Sequence, residues 1–215
     1  MTPRRAPHSR TEPTAAGAQS TRERLLDVTV GLIDSHGEWG VKLDEVLALS
    51  DASASSVYHH FGNLRGLVEE AQVRRFIEAR FFDVLEFAEG VSTVSSTAEF
   101  RDLVESYLQG MLAESRVPDR ARRLSALASS QHNPEMRARL AALERESLDG
   151  VITGLSGLQG RGIIAADIDV IAVAALASGL LFSRSLTELI GDADVQARWD
   201  AGVIRTVCTA LGLDR

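Results

Sequence analysis

The residues best suited to chemistry lie between Ser53 and Phe61, in the run S-A-S-S-V-Y-H-H-F. Ser53, Ser55, Ser56, His59 and His60 are short hydrogen-bonding groups set around three large side chains, Val57, Tyr58 and Phe61. Catalysis would need a nucleophile beside a base, or a cluster of metal ligands. The five histidines, His8, His36, His59, His60 and His132, are scattered apart from one adjacent pair. Successive helical residues point about 100° apart, so that pair is no chelate. Cys208 lies in an apolar C-terminal segment and reads as a small buried hydrophobe. Gly160-Arg-Gly162 lacks the Lys-Ser/Thr that completes a phosphate loop. The sequence therefore predicts no catalytic residue, no metal site and no cofactor, and an enzyme is the poorer expectation. Hydroxyls and imidazoles on one outer face suit hydrogen bonding to another surface.

A helix places them so. Val57 and Phe61 are four apart and share an inward face, which turns Ser55, Ser56 and His59 outward. Ser53 is a suitable N-cap. Upstream, Leu43, Val46 and Leu47 recur at i, i+3, i+4 as the apolar face of a short helix. Ser50-Asp51-Ala52 forms the turn between them, with Asp51 tolerant of a left-handed backbone. Helix, tight turn, helix is either a plain helical hairpin or a helix-turn-helix whose second helix enters the major groove.

The preceding segment is a strong helix prediction. Ser20-Thr21-Arg22-Glu23 has the form of a capping box. Leu25, Leu26, Thr29, Leu32, Ile33 and His36 trace one face, and Gly37 supplies the stop. His36 adds a favourable charge at the helix end. Trp39 is expected to plug the core beneath this helix. Residues 1–19 are rich in Pro, Thr, Ala and Arg without periodicity, a disordered arm carrying Arg4, Arg5 and Arg10. Such an arm is either an inert tail or a strand of positive charge that follows DNA.

From Ser20 to about Leu67 the chain resembles the DNA-binding domain of the TetR family of bacterial transcriptional regulators. The similarity rests on T-R-E-R-L-L-D-V-T-V-G-L-I, H-G-E-W-G and V-Y-H-H-F-G-N-L-R-G-L. The resemblance implies phosphate contacts by Tyr58 and His60, with Ser53, Ser55, Ser56 and His59 toward the groove. It also implies that Lys42 and Arg65 flank the DNA backbone. Against the family pattern stand Asp44, Asp51, Leu47, Ala54 and Leu64, at positions where relatives carry basic or small residues. Each lost phosphate contact lowers affinity and flattens its salt dependence. The resemblance further implies a repressor, bound as a homodimer to a double-stranded DNA operator and released when an effector moves the helix after the motif. The alternative is a dimeric small-molecule or protein-binding module of the same fold with a degenerate head.

Composition fits the helical part of this reading. The chain has 215 residues, 45% apolar, and a formal net charge of −7. Residues 1–75 carry nine Arg/Lys and ten Asp/Glu, so the motif-bearing part is near neutral and makes no electrostatic case for nucleic acid by itself. A single cysteine fits a reducing cytoplasm. The N-terminus shows no apolar signal segment. The longest apolar run, Val170–Phe182, is thirteen residues, short for a bilayer, so no membrane partner is expected.

The rest reads as further helices: Asn63 to about Ala88, a loop over Gly90–Ser96, Thr97–Ser115, one opened by Pro118, one over about 135–158 broken by Gly157, Gly160 and Gly162, about 167–190, and about 194–211. The expected class is all-α with about nine helices. Its expected parts are a basic arm (1–19), a helix-turn-helix domain (20–66) and a ligand-binding and dimerisation domain (67–215). Phe81, Phe82, Phe100, Tyr107, Met111, His132 and Met136 are either ordinary core or the lining of a pocket. The resemblance favours a pocket, for a small, largely apolar effector. The 167–190 segment is apolar nearly all round and so expected to be buried all round, by a partner subunit. Its dimer face is expected to hold Ile171, Ala174, Ala175, Ser178, Gly179 and Phe182, against Trp199, Val203 and Val207 of the last helix.

Overall fold

A computed structural model describes residues 19–79 and 84–214. Arg4, Arg5, Arg10, Phe81 and Phe82 lie outside them. Among the described residues there are ten α-helices, two short 3-10 helices and no strand. The chain divides into two compact units, Met1–Leu67 and Val68–Arg215.

The first unit holds α1 (Thr21–His36), α2 (Leu43–Ser50), α3 (Ala54–Phe61) and the start of α4 (Leu64–Glu78). Ser20 caps α1, its Oγ accepting from the Glu23 N–H at 3.2 Å. Leu25, Leu26, Thr29, Leu32 and Ile33 are its buried face, as the periodicity predicts. They close on Val46 of α2 and Val57 of α3, both buried. Gly37, at φ 73°, ends α1 with its N–H on the Ile33 carbonyl. Trp39 corrects the sequence reading. It sits in a 3-10 turn, Glu38–Gly40, and is 98% exposed. The small core under α1 is already filled by the aliphatic residues of three helices, and the tight turn between two glycines directs the indole outward.

The second unit contains the rest of α4, then α5 (Val84–Thr93), α6 (Thr97–Leu112), α7 (Val117–Ser130), α8 (Pro134–Gly160), α9 (Val170–Ile190) and α10 (Ala193–Ala210). The single helix expected over 63–88 is instead two. The loop expected from Gly90 is also shorter, because α5 runs on to Thr93. Gly90 belongs inside that helix: a Cβ there would stand 3.0 Å from Leu103 Cδ1 of α6. Arg161 then closes the end of α5, donating to the Val91 carbonyl at 2.5 Å and the Val94 carbonyl at 2.9 Å. Gly157 likewise lies within α8, which ends at Gly160, and Gly162 takes the positive φ of 71°.

The main core of this unit gathers Phe87, Phe100, Val104, Leu158, Val173 and Val207 from α5, α6, α8, α9 and α10. A second cluster joins Val73 and Phe76 of α4 to Ala126 of α7 and Met136 and Leu140 of α8. Two buried arginines tie the helices together. Arg120 donates to Glu188 at 2.6 Å and to the carbonyl ends of α6 through Met111 at 2.9 Å. Arg184 donates to Asp200 at 2.6 Å and to Thr187 at 3.0 Å. Burying such charges is tolerable only because each is paired and hydrogen-bonded.

Candidate nucleic-acid interface and ligand cleft

The first candidate site is built on α2, α3 and the turn between them. Asp51 adopts the left-handed conformation (φ 49°, ψ 43°), the one non-glycine residue among those described with positive φ. The Asp51 N–H reaches back to the Leu47 carbonyl, and so does that of Ala52, at 3.4 Å. Ser50 Oγ donates to Val46 O at 2.7 Å. Arg24 of α1 donates to the Ser50 carbonyl at 3.2 Å, placing a positive charge on the C-terminal end of α2. Asp44 and Glu45 occupy the first turn of α2, where negative charge is favourable. Asp44 thus has a local helical role at a position where a DNA-facing cation would be expected.

Ser53 caps α3 by accepting from the Ser56 N–H at 3.3 Å. Its Oγ also stands 2.7 Å from Ser55 Oγ and 3.0 Å from Ser56 Oγ, so the three hydroxyls form one cluster at the helix start. Val57 is the anchor, 1% exposed, and Phe61 is half-buried with the Arg22 guanidinium 5.4 Å from its ring centroid. Tyr58 is not an anchor: it is 58% exposed, one position round the helix from Val57. Ser55, His59 and His60 are exposed as well, and the two imidazoles meet edge to face at 4.8 Å. The outer face of α3 is therefore Ser55, Tyr58, His59 and His60, whereas Ser56 is half-buried. Lys42, at the N-cap of α2, and Arg65, in the first turn of α4, are exposed too. Gly66 fixes the step from α3 to α4, since a Cβ there would lie 2.2 Å from the Phe61 carbonyl oxygen.

The second candidate site lies within the second unit. A cavity of about 80 Å³ is lined by Phe87, Phe100, Tyr107, Met111 and Leu155, among others. Of the residues the sequence singles out, it gathers Phe100, Tyr107 and Met111. Met136 is instead buried in the α4–α7–α8 cluster, and His132 is exposed in the turn between α7 and α8. His132 cannot orient a ligand there, because Pro134 starts α8 at once and leaves the turn at the surface. A larger cleft of about 320 Å³ lies between α7, α8 and α9 and shares Val151, Ser178 and Leu181 with the cavity. Leu127, Leu148 and Phe182 form apolar walls, and Arg123 and Glu144, an ion pair, form its charged end. Sequence reading missed both charged residues. The available signal was the spacing Arg120, Arg123, Ala126, Ser130, which puts arginines on the buried face of α7.

The outer face of α9 carries Ile171, Ala175, Ser178 and Gly179, all exposed, with Phe182 half-buried and Leu186 64% exposed. Three of the expected interface residues, one on α9 and two on α10, are not at the surface of the unit. Ala174, Val203 and Val207 are buried in the unit's own core, and Trp199 is half-buried against it. Nor is α9 apolar on every side, because Arg184, Thr187 and Glu188 occupy its inner side near the C-terminal end. By length and composition α9 is the described helix long and apolar enough to cross a membrane. Cys208 is buried, and its burial pushes the thiol above the usual range. Among the described residues no three of His, Cys, Asp or Glu stand together as a metal site.

No protein-family model matches the chain, and no curated protein matches it in sequence. Solved structures match it in fold. A TetR-family transcriptional regulator from Cytophaga hutchinsonii superposes with a TM-score of 0.65 at 14% identity, over 88% of this chain and 94% of that one. GusR from Salmonella enterica gives 0.62 at 18% identity, over 89% and 95%. NemR from E. coli, in its reduced form, gives 0.64 at 16%, over 89% and 97%. The chain has the all-α fold of TetR-family transcriptional regulators.

Proposed function

We propose that the chain is a ligand-responsive DNA-binding transcriptional regulator, acting in the cytoplasm as a homodimeric repressor. The observation that carries this reading is α3 itself. A short helix is held from behind by Val57 and a left-handed turn, and it turns Ser55, Tyr58, His59 and His60 to solvent. In a helix-turn-helix that geometry lays the second helix along a major groove. The hydroxyls and imidazoles then contact phosphates and base edges. Lys42 and Arg65 stand at helix starts suited to flanking the backbone, and the sequence adds Arg4, Arg5 and Arg10 ahead of the described residues. The effector is a small, largely apolar molecule held in the second unit by Phe100, Tyr107 and Met111 and the adjoining cleft.

A second reading, a module of the same fold that does not bind DNA, is favoured by charge. Residues 19–67 carry four Arg/Lys against seven Asp/Glu. Of the four, Arg24 is committed to Ser50 and Gln19, and Arg22 lies over Phe61. A gel shift of the full chain against DNA upstream of its own coding region decides between the two. A retarded band with a modest salt dependence supports the regulator, and no shift at low salt supports the alternative. Removing residues 1–19 should lower the salt slope by up to about three, near one for each arginine. An unchanged slope would make the arm passive.

A further inference from the structure

We propose that the cleft between α7, α8 and α9 takes a monocarboxylate with an apolar body, whose carboxylate replaces that of Glu144 on Arg123. The proposal rests on the effector-binding reading and names the chemical class of its ligand. Arg123 is 7% exposed, and its guanidinium lies 4.2 Å from the Phe76 ring centroid. Packing on an aromatic face holds it in one orientation. Its charge is permanent, so wherever it is buried an anion must stay near it. Glu144 supplies such an anion at the mouth of the cleft.

The two partners differ in how firmly they are held. The side chain of Arg123 is 9% exposed and that of Glu144 is 44% exposed. Glu144 can turn into water at small cost, whereas Arg123 cannot leave. Exchange of one carboxylate for another keeps the buried guanidinium paired, and a planar carboxylate suits its fork of donors. A cation or a neutral alcohol offers no such exchange. A phosphomonoester brings a second negative charge, and among the described residues the cleft lining holds one cation, Arg123.

The rest of the cleft sets the body of the ligand. Leu127, Leu148, Val151, Leu181 and Phe182 line it, and about 320 Å³ is at the lower end for small-molecule sites. Because Val151, Ser178 and Leu181 also line the 80 Å³ cavity, an unbranched chain can continue from the cleft toward Phe100 and Tyr107. A short to medium alkanoate matches the single charge, the walls and the length.

The test is calorimetric titration of the full chain, without DNA, with octanoate, octanol and octylamine. Octanoate is expected to bind most tightly. Glu144→Gln removes the internal competitor from a half-exposed site and should tighten octanoate binding about fivefold, the factor set by a partly exposed ion pair. Octanol affinity should not change. Arg123→Met should abolish the preference for octanoate, and if that variant does not fold, Glu144→Gln still decides. Octanoate binding that is unchanged or weakened by Glu144→Gln would overturn the proposal, as would equal binding of octanol or octylamine. DNA retardation with no octanoate binding would leave the regulator reading standing and remove this one. The reverse result would do the opposite.

Discussion

Trp39 and Tyr58 show how far a single side chain's role depends on direction. Both are aromatic residues in the first unit, and both point to water. Trp39→Ala should therefore change stability by no more than about 0.5 kcal/mol, the usual range for an exposed site. A core tryptophan would cost about 3–5 kcal/mol, a loss plain in a denaturant melt. Tyr58→Phe should leave the melt unchanged but weaken operator binding about tenfold, the worth of one hydrogen bond to a charged phosphate. Equal affinity at matched salt would count against α3 as the docking face. Ser53→Ala should cost about 1 kcal/mol through the lost cap, and would free Ser55 and Ser56 from the hydroxyl cluster that now orders them.

Among the elements, the junction of α3 with α4 and the inner side of α9 are the least tolerant of change. At Gly66 a methyl group would meet the Phe61 carbonyl, which is backbone and cannot rotate away. Gly66→Ala should destabilise the first unit by about 2 kcal/mol or more, despite alanine's better helix propensity. Arg120→Met would take away the side-chain donor of the Met111 carbonyl, leave the Ala113 carbonyl with the Arg116 N–H alone, and leave Glu188 with Arg184, 3.6 Å away. Breaking a buried pair from one side costs about 3–5 kcal/mol. A thermal melt reads both effects, and a neutral Arg120→Met would mean that water replaces the arginine without penalty.

For the whole molecule the consequential surface is the outer face of α9. Ile171, Ala175, Gly179 and Leu186 form an outward stripe along the helix, and Leu189 and Ile190 extend it. Apolar patches that long are rare on monomers, and the stripe suits a two-fold contact with a second copy. Ala175→Arg should give a monomer or an aggregate and abolish operator binding, read by light scattering and gel shift together. A wild-type chain that scatters as a monomer at micromolar concentration would remove the dimer and with it the paired half-sites. Ser178, Gly179 and Phe182 belong both to this face and to the cleft, so ligand binding and dimerisation are expected to depend on one another.

The sequence by itself determined the helical class, the ends of most helices and the motif. Those features are local: Ser20, Ser53 and Asn63 cap the residues three places on, Asp51 accepts a left-handed turn, and apolar spacing of three and four marks each inner face. That Phe100, Tyr107 and Met111 would face one small cavity was legible, because they recur on one face of one helix. Tertiary structure alone decided matters that depend on what lies opposite. Periodicity says that Val203 and Val207 are buried, but not that their own unit buries them. It gives α9 an apolar circumference without disclosing that Arg184 and Glu188 turn inward to meet Asp200 and Arg120. Arg123 and Glu144 are 21 residues apart on different helices, and nothing short of the packing of α7 on α8 pairs them. Local free energies act within a few residues of chain, whereas a buried charge needs a counter-charge in space, wherever the chain supplies it.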